Sequence, residues 1–479
     1  MSGMNLLILM GDEHNRDFLG CAGHPVVRTP NLDRLAERGT RFTAAYTPSP
    51  ICVSARASLQ CGRPVHQIGA WDSATPYRGR PESWGHRLRD AGQRCLSVGK
   101  LHFLRSEDDN GFAPELLPMH IWKGIGWVIG LLRDDPPVST ACREFAEQLG
   151  PGRSSYTDYD EKVASTAACW IAEEGSKADG PWTLFVSLTA PHYPLLVPEP
   201  FWTPYAKAEL APPAHYRNGQ PRHPVLERLA RCFNYDDYFD QERVLQAQRS
   251  YCGLLAFHDH NLGLVLEALA ASGQADRTLV LYTSDHGESL GAHSSWAKST
   301  MYEHSAGVPM ILAGPEVPRG RVAETPVSLL DIHPTAVQAA GLRPSDAEAD
   351  LPGRSLLELV TAGEPERPVI SEYHDGGAIT GITMLRLGRW KYVHYVDYAP
   401  QLFDLANDPT EARDLAADPA HAATLARLER ELRRHLDPEG VNARAFADQA
   451  AAIERLGGRE ALRQVEDFGY TPLPIGGTA

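Results

Sequence analysis

Five short apolar runs along the chain each stop abruptly at polar residues. They are 5–10 before Asp12, 95–98 before Gly99-Lys100, 182–188 before Pro191-His192, 278–282 before Asp285-His286, and 308–312 before Gly314. Unbroken apolar runs of this length suit strands buried on both faces, as in a mostly parallel sheet covered by helices. Between them lie amphipathic stretches at 31–38, 159–174 and 240–272 that predict helices. This alternation predicts a layered α/β domain. In such sheets ligands bind beyond the carboxyl ends of the strands, and four of the polar clusters would collect there.

The pattern changes further on. Residues 345–366 are rich in Ala, Pro, Gly and Glu and read as a connection. Beyond them, 378–387 and 390–395 read as short strands, 420–436 as a helix, and a helical stretch near 444–465 precedes a Pro/Gly-rich end, 470–479. The expected fold class is α/β. A large mixed, mostly parallel sheet sandwiched by helices spans 1–360, and a smaller C-terminal antiparallel sheet plus helix, with the tail, spans 361–479. Two units also suit the length, since 479 residues exceed the size at which one core stops growing. The tail has two places to dock, the body or a neighbouring subunit.

Composition narrows the function classes. Hydrophobic residues at 43% and charged residues at 22% are ordinary for a globular protein. A net charge of −15 argues against non-specific binding to nucleic acid or an anionic membrane. Eight cysteines without CxxC pairs or zinc-like spacing read as reduced, mostly buried thiols of a cytoplasmic protein. The first apolar run ends directly in Gly11-Asp12-Glu13 and has no basic leader, so it reads as a core strand and neither a signal peptide nor a membrane anchor.

The chemistry lies at the run ends. A single carboxylate just past a strand is commonly a turn or helix cap. Asp12 with Asp285-His286, on strands that can be neighbours, points instead to a divalent cation, and oxygen donors with one imidazole suit Ca²⁺ or Mn²⁺ better than structural zinc. Gly287 would let the backbone turn away before Glu288. In Pro48-Ser49-Pro50-Ile51-Cys52-Val53-Ser54-Ala55-Arg56, the prolines hold the approach extended and a helix can start after them. Cys52 would then sit near a helix N-terminus, which lowers a thiol pKa, with Arg56 one turn on. Lys100 and His102 fall on one side of an extended segment if the strand continues. His192 is pinned between two prolines, and Lys298 follows the Asp285-His286 loop. Each alone reads as a surface or capping residue. Together, two lysines, an arginine and histidines around a metal suit a tetrahedral anion undergoing substitution. The remaining candidates read as structural. His258 and His260 are two apart on a helix and face different sides; Trp122 and Trp127 suit packing or a pocket wall; His24, His66 and His86 lack singling-out partners; and His374-Asp375 lie in a loop that could reach over the site.

This set resembles the formylglycine-dependent sulfatases of the alkaline phosphatase superfamily, most closely the cytoplasmic branch with choline sulfatases and phosphonate monoester hydrolases. The likeness runs from the first strand and Thr29-Pro30-Asn31-Leu32-Asp33-Arg34-Leu35 to Leu402-Phe403-Asp404-Leu405 and Asn407-Asp408-Pro409. It implies that Cys52, followed four residues later by Arg56, is oxidised to formylglycine by a formylglycine-generating maturation enzyme. The hydrated aldehyde would be nucleophile and metal ligand, beside Asp12, Asp285 and His286 on one divalent ion. Lys100 and His102 would hold the formylglycine and the transferring group, and His192 and Lys298 would bind sulfate oxygens and assist the leaving oxygen. Ser54 and Ala55 depart from the family's usual proline or alanine and serine, in a segment the maturation enzyme reads. Glu13 reads as a supporting group beside the metal. The function implied is hydrolysis of a small sulfate monoester through a covalent sulfo-enzyme, by a homo-oligomer. Phosphonate monoesters or phosphate diesters are the alternative substrates. An inactive metal-binding scaffold or partner-binding protein is the rival of another class.

Overall fold

The computed structural model describes residues 3–364 and 366–473, so the last six residues of the Pro/Gly-rich end lie outside the described residues. Strands β1 (Asn5–Asp12), β2 (Gly39–Phe42), β3 (Arg94–Lys100), β4 (Glu115–Met119), β5 (Trp182–Pro191), β6 (Thr278–Ser284), β7 (Met310–Ala313) and β8 (Arg321–Ala323) form one sheet. Their order is β8-β2-β7-β6-β1-β5-β3-β4, and only β7 runs against the rest. The mostly parallel α/β fold expected from the apolar runs is therefore present.

The runs are continuous because both faces are covered. Leu7 pairs with Leu184 and Val280, and this layer packs on Val163, Ala167 and Leu262 from α3 (Ser155–Glu173) and α4 (Gln241–Ala271). The helix α1 (Pro30–Glu37) lies on the same face through Leu32 and Leu35. Leu6, Ile8 and Met10 point the other way, onto Ala57 and Leu59 of α2 (Cys52–Cys61) and onto Leu88 and Val337. Every residue of α2 is buried. The flanking strands β2, β4 and β8 were not marked by the pattern. They are short, and Pro118 interrupts β4, as proline does in strands near a sheet edge.

The second sheet is an antiparallel meander of β9 (Val369–Tyr373), β10 (Ile382–Leu387), β11 (Trp390–Tyr395) and β12 (Gln401–Asp404). Helix α5 (Ala422–His435) covers it through Leu428 and Leu432. The single helix expected near 444–465 is two, α6 (Pro438–Arg455) and α7 (Arg459–Arg463). Gly457 and Gly458 separate them at φ 97° and 88°, a region glycine enters freely. The tail docks on the body: Gln449 donates to Asp72 Oδ2 at 2.7 Å and to the His374 carbonyl at 2.8 Å. Among the described residues, no helix is long and apolar enough to cross a membrane.

A buried ion cluster joins the two sheets. Lys391 of β11 lies 2.9 Å from Glu303 Oε1 and 2.7 Å from Glu411 Oε1, and Glu303 also pairs with Arg16. Removing one partner of a buried cluster strands the other charges. Lys391→Met is expected to destabilise by about 3–5 kcal/mol, seen as an earlier urea transition. A loss under about 1 kcal/mol would show that the cluster does not hold the sheets together.

Candidate active site

Strands β6, β1, β5 and β3 are neighbours and parallel, so their carboxyl ends open on one edge. Asp285-His286, Asp12-Glu13, His192 and Lys100 with His102 emerge there. Cys52 is the first residue of α2, after Ile51 in extended conformation. Its Sγ lies 3.0 Å from His286 Nε2 and 3.7 Å from Asp12 Oδ1. One donor atom from each of Asp12, Cys52, Asp285 and His286 falls within 4.8 Å of the others, and all four residues are buried. The Nδ1–H of His286 donates to the Gly287 carbonyl at 2.9 Å, which turns the Nε2 lone pair toward the cluster. Gly287 is not needed for a left-handed turn, since its φ is not positive. It is needed for closeness, because a Cβ would lie 2.1 Å from the His304 carbonyl oxygen.

Arg56 stands behind the carboxylates. Its Nε donates to Asp285 Oδ2 at 2.8 Å, its Nη1 to the Lys100 carbonyl at 2.7 Å and Ser187 Oγ at 2.8 Å, and its Nη2 lies 3.6 Å from Asp12 Oδ2. Lys100 Nζ pairs with the same Asp12 oxygen. Burial alone would raise the Asp12 pKa, but Lys100, then His192, Arg56 and His286, hold it well below the carboxylate range. Burial and the Asp12 carboxylate push the Cys52 thiol up to about 12, the reverse of the shift expected from the helix start alone.

The strand does not carry His102 into line with Lys100. Strand β3 ends at Lys100, and Leu101 N and His102 N both donate to the Met119 carbonyl. His102 then takes φ 55°, a conformation side chains adopt only when held. Neither of its ring nitrogens has a hydrogen-bond partner among the described residues, and burial with Lys100 and Arg56 nearby keeps the ring well below its usual pKa. His192 Nδ1 donates to the Tyr193 carbonyl at 2.7 Å, leaving Nε2 to accept from Lys298 Nζ at 2.8 Å. Glu13 Oε2 completes the group, 3.4 Å from Lys298 and 3.3 Å from His192. Burial alone would lower the Lys298 pKa, and Cys52, Glu13 and Asp12 raise it above the usual lysine value.

Two supports escaped the sequence reading. Glu288 accepts from Ala297 N at 2.7 Å and so fixes the loop that carries Lys298. Asp160 accepts from Thr189 N at 2.7 Å, Ala190 N at 2.8 Å and Thr189 Oγ1 at 2.9 Å, clamping the chain just before His192. The only signal for Asp160 is an acidic residue on the apolar face of a helix.

A cleft opens over these groups, with Cys52, Lys100, His102, His192 and Lys298 at its floor. Trp127 lines it, and Trp122 does not. Tyr373 also lines it, whereas His374 packs on Trp71 and Asp375 accepts from Ser73 Oγ at 2.6 Å. His258 bonds Tyr282 inside the core and His260 is exposed, so the pair does face different sides. His66 pairs with Glu372, His86 closes the capping box of the helix it enters, and His24 accepts from Val26 N and Val27 N.

The profile of the family described as Sulfatase matches residues 4–342, and that described as N-sulphoglucosamine sulphohydrolase, C-terminal, matches residues 291–437. The chain is 31% identical to a choline-sulfatase of Rhizobium meliloti, over 98% of this chain and 94% of that protein. It is 28% identical to arylsulfatase K of Danio rerio, over 86% of this chain and 80% of that protein. The crystal structure of the phosphonate monoester hydrolase of Agrobacterium radiobacter matches with a TM-score of 0.73 at 26% identity, over 92% of this chain and 96% of that one. With the alkaline phosphatase-like sheet and the motifs in their order along the chain, these matches establish that the chain belongs to the sulfatase family and is a sulfuric ester hydrolase.

Proposed function

We propose that the protein hydrolyses a small sulfate monoester at residue 52, after oxidation of Cys52 to formylglycine, with one divalent cation at Asp12, Asp285, His286 and the modified residue. The observation that carries this reading is the set of four buried donor atoms within 4.8 Å, with two lysines and two histidines around it. Two carboxylates and an imidazole fit Ca²⁺ or Mn²⁺, and a hydrated aldehyde at position 52 would add oxygen where a thiol adds soft sulfur. When bound, the cation supplies positive charge that makes a neighbouring hydroxyl acidic and offsets charge on sulfate oxygens.

The chain's own groups divide the remaining work. Arg56 keeps Asp12 and Asp285 turned toward the donor set. Lys100 and Lys298 bind the equatorial oxygens of the sulfuryl group as their charge grows. His192 and Lys298, in contact, bring a proton to the departing alcohol oxygen. His102, held neutral and free of protein partners among the described residues, takes the proton from the second hydroxyl of residue 52 as sulfate leaves.

Structural neighbours at 26% identity that hydrolyse phosphonate monoesters favour a second activity, on phosphonate monoesters and phosphate diesters, whose single negative charge matches that of a sulfate monoester. Eight free cysteines, six of them buried, support the cytoplasm as the location.

Mass analysis of the Cys52 peptide from the native host should show the aldehyde in place of the thiol. Cys52→Ala should abolish turnover with an unchanged circular dichroism spectrum, and retained activity removes residue 52 as nucleophile. Asp160→Ala should lower kcat at least about tenfold, because two freed N–H groups let the His192 segment shift. An unchanged kcat shows that the clamp has no part in the reaction. Sulfate esters should be turned over faster than phosphate diesters under the same conditions, and the reverse ranking makes the diester the principal substrate.

A further inference from the structure

We infer that the leaving-group side of the cleft takes an uncharged, apolar alcohol carrying a flat ring, and that residues 468–471 of the tail form its outer wall. This goes beyond the sulfatase reading and rests on it.

Three rings on one side of the cleft make a slab. Trp127 stacks on Phe233 at 6.0 Å and 17°, and Phe233 on Tyr235 at 5.4 Å and 16°. Phe145 and, from the tail, Phe468 and Tyr470 also line the cleft. The tail is fastened where it crosses. Asp467 accepts from Trp127 Nε1 at 2.9 Å, Ser139 Oγ at 2.7 Å and Thr140 N at 3.0 Å. The Tyr156 hydroxyl donates to the Thr471 carbonyl at 2.8 Å, and the Tyr156 ring meets Tyr470 edge-on at 5.2 Å. One carboxylate thus ties the tail to the ring that begins the slab.

What lines the cleft disfavours other alcohols. Among the described residues that line it, there is no Asp, Glu, Asn, Gln or Arg, and the only fixed charges are Lys100 and Lys298, both positive. The hydroxyls of Ser73, Ser139 and Tyr373 already donate within the protein, so the side-chain polar partners left on the wall are chiefly the hydroxyls of Tyr235, Ser299, Tyr470 and Thr471. A sugar ring entering here would lose water from several hydroxyls and regain few partners, with no carboxylate, amide or guanidinium side chain on the wall to bind them, which disfavours it. A quaternary ammonium gains from ring faces but finds no free carboxylate on the cleft wall, since Asp12 and Glu13 behind it are already paired with Lys100 and Lys298. A neutral aromatic or similarly flat group loses nothing polar and buries its whole area on the slab.

The test uses full-length protein with Cys52 converted and three primary-alcohol sulfates of matched leaving oxygen. They are 2-phenylethyl sulfate, choline sulfate and glucosamine 6-sulfate, the first two sharing the same two-carbon link. 2-Phenylethyl sulfate should have a kcat/KM about thirtyfold or more above the other two, the worth of burying one phenyl group. Phe468→Ala, Tyr470→Ala and Asp467→Ala should each raise its KM about tenfold, and raise KM more than they lower kcat. Equal or better turnover of choline sulfate or glucosamine 6-sulfate overturns the pocket assignment and leaves the sulfatase reading standing. No turnover of any of the three, with Cys52 shown to be converted, overturns both. Unchanged KM in all three variants removes the tail from the pocket wall.

Discussion

The Arg56 guanidinium holds the site in its shape. Asp12 and Asp285 leave adjacent parallel strands with their carboxylates buried side by side, an arrangement that self-repulsion and lost hydration would spread apart. Arg56 reaches both, and it also bonds the Lys100 carbonyl and Ser187 from the next two strands. Its planar set of fixed donors suits four partners in a way a lysine ammonium would not. Because Arg56 lies one turn into α2, the same contacts that gather the strand ends set Cys52 at the helix start against His286. Helix, sheet and donor set are thus registered by one side chain.

The parts legible in the sequence were those in which burial and chemistry coincide. An apolar run buried on both faces has no charged residue until it ends, so Asp12, Lys100, His192 and Asp285 mark both the strand end and the cluster. The illegible parts depend on contacts between residues far apart in the chain. Asp160 shows only as an acid on the apolar face of its helix until Thr189 and Ala190 are laid against it. His102 required a left-handed turn that neither Leu101 nor Phe103 signals. The direction of the Cys52 shift was misread because a helix N-terminus is a local feature, whereas burial and the Asp12 carboxylate come from the fold. The role of Gly287 changed, and the tail's two open docking places came down to the body, for the same reason: one has a His304 carbonyl against it, the other crosses the body.

The two sheets divide the labour unevenly. The large one supplies every group at the cleft floor except Cys52 and Lys298, which come from the start of α2 and from the loop after β6. The small one adds Tyr373 to the wall and is pinned to the body by Lys391 between Glu303 and Glu411. The tail then runs back over both, through Gln449, Asp467 and Thr471. Floor and wall can therefore change independently: the reacting groups stand at strand ends, at the start of a buried helix and on a loop fixed by Glu288, while the surface lining the rest of the cleft comes largely from loops and from the tail.

The complete burial of α2 has a consequence for the order of events in the life of the chain. A modifying enzyme recognises a segment by taking it into its own groove, and here residues 52–61 have no face left to offer once the helix rests on the sheet. Any oxidation of Cys52 in which another protein reads Ser54, Ala55 and Arg56 belongs to the nascent or unfolded polypeptide. Folding then seals the altered residue in place, and a chain that folds first keeps its thiol for good.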